Sequence, residues 1–278
     1  MFHREGDFRI IFLNLQDSDS ELQMKFIDTH AHLYDEAFAT EEDQAVERAV
    51  RSGVTKIIFP DIDSQTREAM FSFADRHEGT IFPCLGLHPT SVGPDWEKEL
   101  STMEGFLSRK IYAIGEIGMD CYWSKEYIRE QQEVLRIQLE MAVKMGLPVI
   151  IHSRESTELI INVLKECRHL APRGVFHAYS GSIETFREIS RLGDWYIGIG
   201  GVLTYKKASI AETVKDIPLE RILLETDSPY LTPVPFRGKR NESSYIPHIA
   251  EKLAGLTGRD IEEIAEVTTA NAEKLFRI

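Results

Sequence analysis

Six histidine and acidic side chains stand at or just after the ends of short apolar runs, and they are the residues of this sequence best suited to chemistry. Each run has the pattern of a β-strand buried on both faces, as parallel sheets require. The six candidate metal ligands are His30, His32, Glu116, His152, His177 and Asp227. Parallel strands that close into a barrel bring their carboxyl ends around one pit. The pattern therefore predicts that these side chains meet there and hold two divalent cations. A site of this kind indicates a hydrolase.

The spacing within this set indicates how the ligands would be shared. His30 and His32 are two residues apart on a strand, so their side chains leave the same face and can hold one cation. Glu116 could bridge two cations through its two oxygens; the alternative is a buried charge paired with an arginine, and an unpaired buried carboxylate is costly. Asp120 is either a partner of a metal ligand or a surface residue, and the sequence leaves both open.

The remaining ligands also have alternative roles. His152 and His177 could complete a second metal site, or one of them could donate to a substrate oxygen. Asp227 could accept a proton as water attacks phosphorus, and it could also cap the segment that follows. We therefore take Asp227, Glu116 and His88 as the candidate catalytic residues.

A second group of residues is suited to contact a phosphorylated substrate. His88 and Arg154 follow strands without being needed as ligands, and the planar guanidinium of arginine suits phosphate oxygens. The alternative for Arg154 is a salt bridge at a helix start. Aromatic rings for base stacking and a cationic loop complete the candidates, which are Tyr122, Trp123, Tyr179, Arg237, Lys239, Arg240 and Asn241. Such a loop is weak evidence by itself, because solvated loops often carry these charges.

The elements that must position these residues alternate between strands and amphipathic helices from Met24 onwards. The strands are predicted over residues 26–28, 56–59, 80–85, 111–115, 148–151, 174–176, 195–199 and 221–224. The helices are predicted over residues 41–52, 64–77, 95–108, 125–145, 155–168, 183–191 and 207–214, with two more in the tail 245–278. Eight strands close a barrel, so we predict an α/β fold, a TIM (β/α)8 barrel of one domain with the metal site at the carboxyl ends of its strands. A doubly wound open sheet is the alternative.

The two ends of the chain carry further signals. Residues 1–23 have no periodic apolar pattern, whereas Met24 stands directly before the first strand. We therefore expect an N-terminal extension over residues 1–23, flexible or not native, and a barrel over residues 24–278. In the tail, Asp260 with Glu263 three residues later has the pattern of a capping box at the start of the last helix.

Composition limits the classes of function. The chain has 278 residues, 42% of them hydrophobic, and a formal net charge of −13, which argues against a strongly basic surface that coats nucleic acid. Its three cysteines are widely spaced and form no CxxC pair, which disfavours a disulfide framework and indicates a reducing cytoplasm. The apolar stretch near the start is too short for a membrane span, so neither export nor membrane insertion is expected. No obligatory protein partner is evident.

Seven ordered motifs resemble those of the TatD family of metal-dependent deoxyribonucleases, and the resemblance runs from Met24 to the end. They are Asp28-Thr29-His30-Ala31-His32, Gly86-Leu87-His88-Pro89, Gly115-Glu116-Ile117-Gly118-Met119-Asp120, Ile151-His152-Ser153-Arg154, His177-Ala178-Tyr179-Ser180-Gly181, Glu225-Thr226-Asp227-Ser228-Pro229 and Arg237-Gly238-Lys239-Arg240-Asn241-Glu242. Two positions depart from the family pattern, with Ala178 where cysteine is common and Ser243 where proline is common.

The resemblance implies a barrel of the amidohydrolase type, two divalent metal ions and cleavage of DNA, often from the 3′ end of single strands. By this resemblance His30, His32 and Asp227 hold one metal, while His152 and His177 hold the other. Glu116 bridges them, and Arg154 and His88 face the scissile phosphate. The metal, whether Mg, Mn or Zn, is not fixed. Two alternatives remain open, namely hydrolysis of another ester, such as a small phosphoester or an aminoacyl-tRNA ester, and a catalytically silent nucleic-acid-binding scaffold.

Overall fold

Eight parallel strands form the centre of the protein, which a computed structural model describes over residues 24–278. The strands are β1 (Phe26–Asp28), β2 (Val54–Phe59), β3 (Ile81–Pro83), β4 (Ile114–Asp120), β5 (Val149–Arg154), β6 (Arg173–Phe176), β7 (Asp194–Ile199) and β8 (Ile222–Leu224). The predicted extension over residues 1–23 lies outside the described residues, so it remains a prediction.

The strands follow one another in sequence order around a ring. β1, β2 and β3 are hydrogen-bonded neighbours, as are β4 through β8. Parallel bridges join the two groups, from Leu85 to Ile114 on one side and from Ala31 to Ser228 on the other. The backbone N–H of Thr29 also donates to the carbonyl of Leu224 at 3.0 Å. Sequential order with closure confirms the predicted TIM barrel and excludes the doubly wound open sheet, whose strand order would reverse.

The barrel interior is packed with apolar side chains below the strand ends. One buried cluster takes a residue from each strand or its approach, and its members are Ile27, Ile58, Phe82, Ala113, Ile150, Val175, Tyr196 and Leu223. Leu275 and Phe276 of the last helix pack against the same cluster. A second, larger cluster lies between the sheet and the surrounding helices. The interior is therefore a filled core, and only the carboxyl ends of the strands are left to form a site.

The helices connect and cover the strands. They are α1 (Glu42–Arg51), α2 (Arg67–Arg76), α3 (Trp96–Thr102), α4 (Ile128–Met145), α5 (Thr157–Glu166), α6 (Ile183–Ser190), α7 (Ile210–Thr213), α8 (Ile246–Thr257) and α9 (Ile261–Phe276). Each predicted helix has a counterpart, but α3, α5 and α7 are shorter than predicted because each continues as a 3-10 turn. Within residues 24–278, no helix is both long enough and apolar enough to cross a bilayer.

Some local predictions are wrong. β5 runs to Arg154 instead of ending at residue 151, so His152 lies inside the strand. β4 extends to Asp120 instead of ending at residue 115, so Glu116 and Asp120 lie inside the strand. Asp260 precedes α9 with extended backbone, but its side chain accepts no capping hydrogen bond, and Glu263 instead pairs with Arg259. The capping box therefore does not form, because the glutamate has an arginine partner one turn away.

Candidate metal centre

The six predicted ligands meet at the carboxyl end of the barrel, with Glu116 between two pairs of histidines. One carboxylate oxygen of Glu116, Oε2, lies 3.1 Å from Nε2 of His30 and 3.7 Å from Nε2 of His32. The other oxygen, Oε1, lies 2.8 Å from Nδ1 of His152 and 2.8 Å from Nε2 of His177. The two oxygens of one buried carboxylate thus face two different groups of imidazole nitrogens.

Asp227 completes the first group from a loop beyond β8. Its Oδ1 lies 3.6 Å from Nε2 of His30 and 3.8 Å from Nε2 of His32. Asp227 has a left-handed backbone (φ 57°), and its N–H donates to the carbonyl of His30 at 2.8 Å. Its carbonyl closes a turn with Tyr230, and the next helical element begins only at Ser243. The alternative role of Asp227 as a helix cap is therefore wrong.

His88 joins the second group instead of standing apart from the ligands. Its Nε2 lies 3.3 Å from Oε1 of Glu116, and its Nδ1 is within 2.6 Å of the hydroxyl of Thr90. Ligand atoms that lie within 4.8 Å of one another form three overlapping sets: His30, His32 and Asp227; His30, Glu116 and His177; and His88, Glu116 and His152. The sequence assigned His88 to the substrate, whereas the geometry also makes it a candidate ligand.

The chemistry of this donor set fits divalent cations. Nε2 of His30 and Nε2 of His32 are only 3.1 Å apart and face the same space. Burial lowers the pKa of His30 to about 4 and that of His32 to about 3, so both rings are unprotonated at neutral pH and offer lone pairs. Burial alone would raise the pKa of Glu116, but the imidazoles of His177 and His30 hold it well below its usual value. The unprotonated imidazoles of His30 and His32 beside an ionised carboxylate are ligands for divalent transition metals. Burial alone would lower the pKa of His177, but Glu116 and Glu225 raise it, so a cation bound there would take the place of a proton.

The contact between Asp120 and His152 decides between the two roles predicted for Asp120. Asp120 is buried, and its Oδ2 lies 3.0 Å from Nε2 of His152. Its Oδ1 accepts the backbone N–H groups of Tyr122 at 2.9 Å and Trp123 at 3.1 Å. Asp120 is thus the partner of a predicted ligand and not a surface residue. A carboxylate on the far nitrogen of a metal-binding histidine fixes the orientation of the ring.

Glu225 is a buried acidic residue of the site that the ligand prediction did not include. Its Oε1 lies 3.7 Å from Nδ1 of His177 and accepts the N–H of Ala178 at 2.5 Å. Glu225 directly follows β8 and stands two residues after Leu223 of the barrel interior, so the alternation of side chains along β8 was the signal that could have identified it. A Cβ at Gly198 would lie 1.9 Å from Oε2 of Glu225, so the glycine leaves the space that this carboxylate occupies.

Asp28 joins the loop that carries Asp227 to the strand that carries the first histidines. Its side chain is buried, and Oδ1 accepts the N–H groups of His30 at 3.2 Å and Thr226 at 3.0 Å. Its Oδ2 accepts the hydroxyl of Thr226 at 2.6 Å. Asp28 therefore fixes the seam between β1 and β8, where the candidate ligands of the first and the last strand meet.

A cleft of about 930 Å³ opens onto the metal centre, and several predicted substrate residues line it, among them Arg154, His88 and Tyr179. The guanidinium of Arg154 lies 3.7 Å from the ring centroid of Tyr122. Among residues 24–278, no carboxylate comes within 4.0 Å of that guanidinium, so Arg154 does not form the alternative salt bridge. The hydroxyl of Tyr179 donates to the carbonyl of Ser182 at 2.7 Å. Tyr179 therefore presents part of its ring to the cleft while its polar end is occupied.

The structure does not bring the predicted cationic loop to the cleft wall. Arg240 donates to Oε2 of Glu41 at 2.8 Å and to the carbonyl of Ala37, and Arg237 stacks on Tyr205 at 4.1 Å. Asn241 is fully buried, and its amide donates to two carbonyls of the loop after β8. None of these three is among the described residues that line the cleft. Their predicted contact with substrate remains a prediction, while Asn241 has a clear structural role.

A parallel eight-stranded barrel with histidines and carboxylates gathered at its strand ends defines a metal-dependent hydrolase. The family model described as TatD related DNase matches residues 27–277. The chain is also 41% identical over 258 residues to YabD of Bacillus subtilis (strain 168), described as an uncharacterized metal-dependent hydrolase, with 90% of this chain and 98% of that protein covered. This protein belongs to the TatD family of metal-dependent hydrolases.

Two further similarities agree with this assignment. The crystal structure of YjjV, a TatD homologue from Escherichia coli K12, superposes with a TM-score of 0.84 at 30% identity and covers 92% of this chain and 100% of YjjV. A protein of Erwinia billingiae (strain Eb661) named 3′-5′ ssDNA/RNA exonuclease TatD is 31% identical over 259 residues, with 90% of this chain and 98% of that protein covered. The predicted family and barrel are thus confirmed.

Proposed function

We propose that this hydrolase cleaves phosphodiester bonds of DNA, as a 3′-5′ exonuclease on single strands, at a centre of two divalent cations. The observation that carries the proposal is the placement of Glu116. Its two oxygens face separate groups of histidines at 2.8 to 3.7 Å, which is what a carboxylate shared by two cations requires. His30, His32 and Asp227 would hold one cation, and His152 and His177 would hold the other.

Two bound cations would activate water and neutralise the charge of a phosphate undergoing in-line displacement. Asp227 is the residue we assign to take the proton of the attacking water. Its side chain is 16% exposed and lines the cleft, whereas that of Glu116 is 3% exposed. Arg154 would bind a phosphate oxygen through its planar array of N–H donors. His88 would either complete the second cation site or contact the phosphate.

The substrate class rests on the relatives and on the cleft. The Erwinia billingiae relative is named for single-stranded DNA and RNA, and the cleft of this chain combines an arginine with an exposed aromatic ring, the two kinds of group that bind single strands. The three cysteines are buried and unpaired. This agrees with the reducing cytoplasm that we propose as its location.

Another ester substrate is the alternative, because fold and metals alone do not select a substrate. A cleft of about 930 Å³ lies within the range of about 300–1,000 Å³ for small-molecule sites, so a small phosphoester would also fit. A catalytically silent scaffold is disfavoured because all six predicted ligands converge on one another.

The test is digestion of 5′- and 3′-labelled single- and double-stranded DNA by the purified protein, with and without chelator, across magnesium, manganese and zinc. The expected result is stepwise shortening of single strands from the 3′ end that stops with chelator. Turnover of small phosphoesters or aminoacyl-tRNA without any cleavage of DNA would select the alternative substrate.

Glu116→Ala should abolish turnover and lower the number of bound cations measured by elemental analysis, with the fold intact by circular dichroism. Glu140→Gln changes an exposed carboxylate of α4 and serves as the matched control. Unchanged DNA cleavage by the Glu116→Ala variant would refute the central role of this residue.

A further inference from the structure

We infer that the cleft binds a single nucleotide next to the reacting phosphate, with Arg154 on its phosphate and Trp123 on its base, and provides no track for the rest of the strand. The inference rests on the proposed function and defines its substrate further. It predicts that short oligonucleotides are as good substrates as long ones.

The charge of the cleft is the first observation. Among the described residues that line it, Arg154 is the one lysine or arginine. Asp35, Glu36 and Glu225 line it as well, besides the acidic residues of the metal centre. A protein that follows a strand over several phosphates needs a cation for each. The one arginine can neutralise one additional phosphate. The carboxylates around it repel any further phosphates.

The environment of Arg154 is the second observation. The central carbon of its guanidinium lies over the ring of Tyr122, 3.7 Å from the ring centroid. Within residues 24–278, the side chain of Arg154 makes neither a salt bridge nor a hydrogen bond. Stacking uses the face of a guanidinium and leaves the N–H donors at its edge available. Tyr122 therefore holds Arg154 in place and has one ring face covered by it.

Of the two neighbouring rings predicted to stack on bases, Tyr122 and Trp123, only Trp123 lines the cleft, so we assign base stacking to it. Trp123 lines the cleft with 69% of its surface exposed, and its ring centroid is 5.3 Å from the guanidinium of Arg154. Its backbone N–H donates to Asp120 at 3.1 Å, which ties the ring to the strand end beside His152. Arg154 and Trp123 thus offer one cation and one aromatic face next to the metal centre, as a single nucleotide requires. The other exposed ring that lines the cleft, that of Tyr230, donates its hydroxyl to the carboxylate of Asp35 at 3.5 Å and so lies beside a group that repels phosphate.

The remaining surface of the cleft agrees with this limit. Val202, Leu203 and Leu231 line it and suit a sugar or a base more than a phosphate. The cationic loop does not add a second cation to the cleft, because Arg237, Lys239 and Arg240 are all absent from the described residues that line it.

The experiment compares single-stranded oligonucleotides from a dinucleotide to about twenty nucleotides with the full-length protein and saturating metal. We expect kcat/KM to stay level from the trinucleotide upward. Because one stacked base contributes about 1–3 kcal/mol, Trp123→Ala should lower kcat/KM by about 5- to 150-fold, by the same factor at every length. Arg154→Gln should act in the same way, and Trp123→Phe should retain most of the rate.

The control is Arg191→Gln, which removes an exposed arginine after α6, at the opposite end of the barrel. A steady rise of kcat/KM with length, or a salt dependence that becomes steeper with length, would overturn the inference and leave the nuclease intact. A larger effect of Trp123→Ala on long strands than on short ones would also overturn it. Failure to cleave DNA of any length would instead refute the proposed function, and the inference with it.

Discussion

Asp120→Asn should weaken metal binding without displacing a ligand. In the native protein, the Oδ2 of Asp120 lies 3.0 Å from Nε2 of His152, while Nδ1 of the same ring faces Glu116 at 2.8 Å. When Nδ1 binds a cation, Nε2 must carry the proton and donate it to the carboxylate. An asparagine can keep its oxygen on the backbone N–H groups of Tyr122 and Trp123. Its amide nitrogen, which is a donor, would then face the N–H of Nε2, which is also a donor. The hydrogen bond from His152 would therefore be lost.

The expected magnitude follows from the bond that is lost. A hydrogen bond to a charged group contributes about 1.5–3 kcal/mol, and each 1.4 kcal/mol is a factor of ten in affinity. Loss of the Asp120 contact therefore predicts metal binding weaker by about 10- to 100-fold, the range usual for residues that orient a metal ligand. Because the ligands themselves remain, turnover should recover at saturating metal.

Calorimetric titration of manganese or zinc into the metal-depleted protein measures this change, together with kcat at rising metal concentration. Asp43→Asn is the matched control, because Asp43 makes an equivalent contact of 2.7 Å with His77 on the surface. Metal affinity equal to the wild type in Asp120→Asn would refute the role of Asp120. An equal loss in Asp43→Asn would show that the effect is not specific to the centre.

Three further substitutions test how the site is supported. Gly198→Ala places a Cβ 1.9 Å from Oε2 of Glu225, so it should displace that carboxylate. We expect the free energy of unfolding to fall by about 1–3 kcal/mol, which chemical denaturation measures, and turnover to fall as well, which a rate assay measures. Asn241→Ala removes donors to two buried carbonyls after β8 and should reduce the free energy of unfolding by about 1–3 kcal/mol in the same denaturation experiment. Arg67→Met leaves the buried carboxylate of Asp61 unpaired and should reduce it by about 3–5 kcal/mol, and a variant as stable as the wild type would contradict the buried pair.

The ligands could be predicted because strand pleating fixes which residues share a face. In β5, Ile150 packs in the barrel interior and His152 stands two residues later on the same side. The same spacing relates Val175 to His177 at the end of β6. A parallel barrel places all such positions at one end, so apolar runs followed by histidines were sufficient to predict that these side chains converge.

The cationic loop could not be placed in the same way, because loop side chains are directed by tertiary partners and not by a periodic backbone. Arg240 turns to Glu41, a residue distant in the sequence, and packs over Phe38 at 4.2 Å. Asn241 is drawn inward by backbone carbonyls that only the folded loop exposes. Charge composition alone predicted a substrate surface, but these contacts show that part of it stabilises the loop.

The segment Gly115 to Asp120 is an irregular part of β4 that carries two acidic residues of the candidate site. The register between β4 and β5 shifts between Ile114 and Ile117, and Glu116 lies within that shift, where an irregular strand can redirect a side chain. Beyond it, Gly118 is paired with His152, and a Cβ at Gly118 would lie 2.1 Å from the carbonyl oxygen of His152. A glycine is therefore required for the two strands to approach at this point. That approach brings Asp120 within reach of the outer nitrogen of His152, so one strand supplies both the carboxylate that lies between the two pairs of histidines and the group that orients His152.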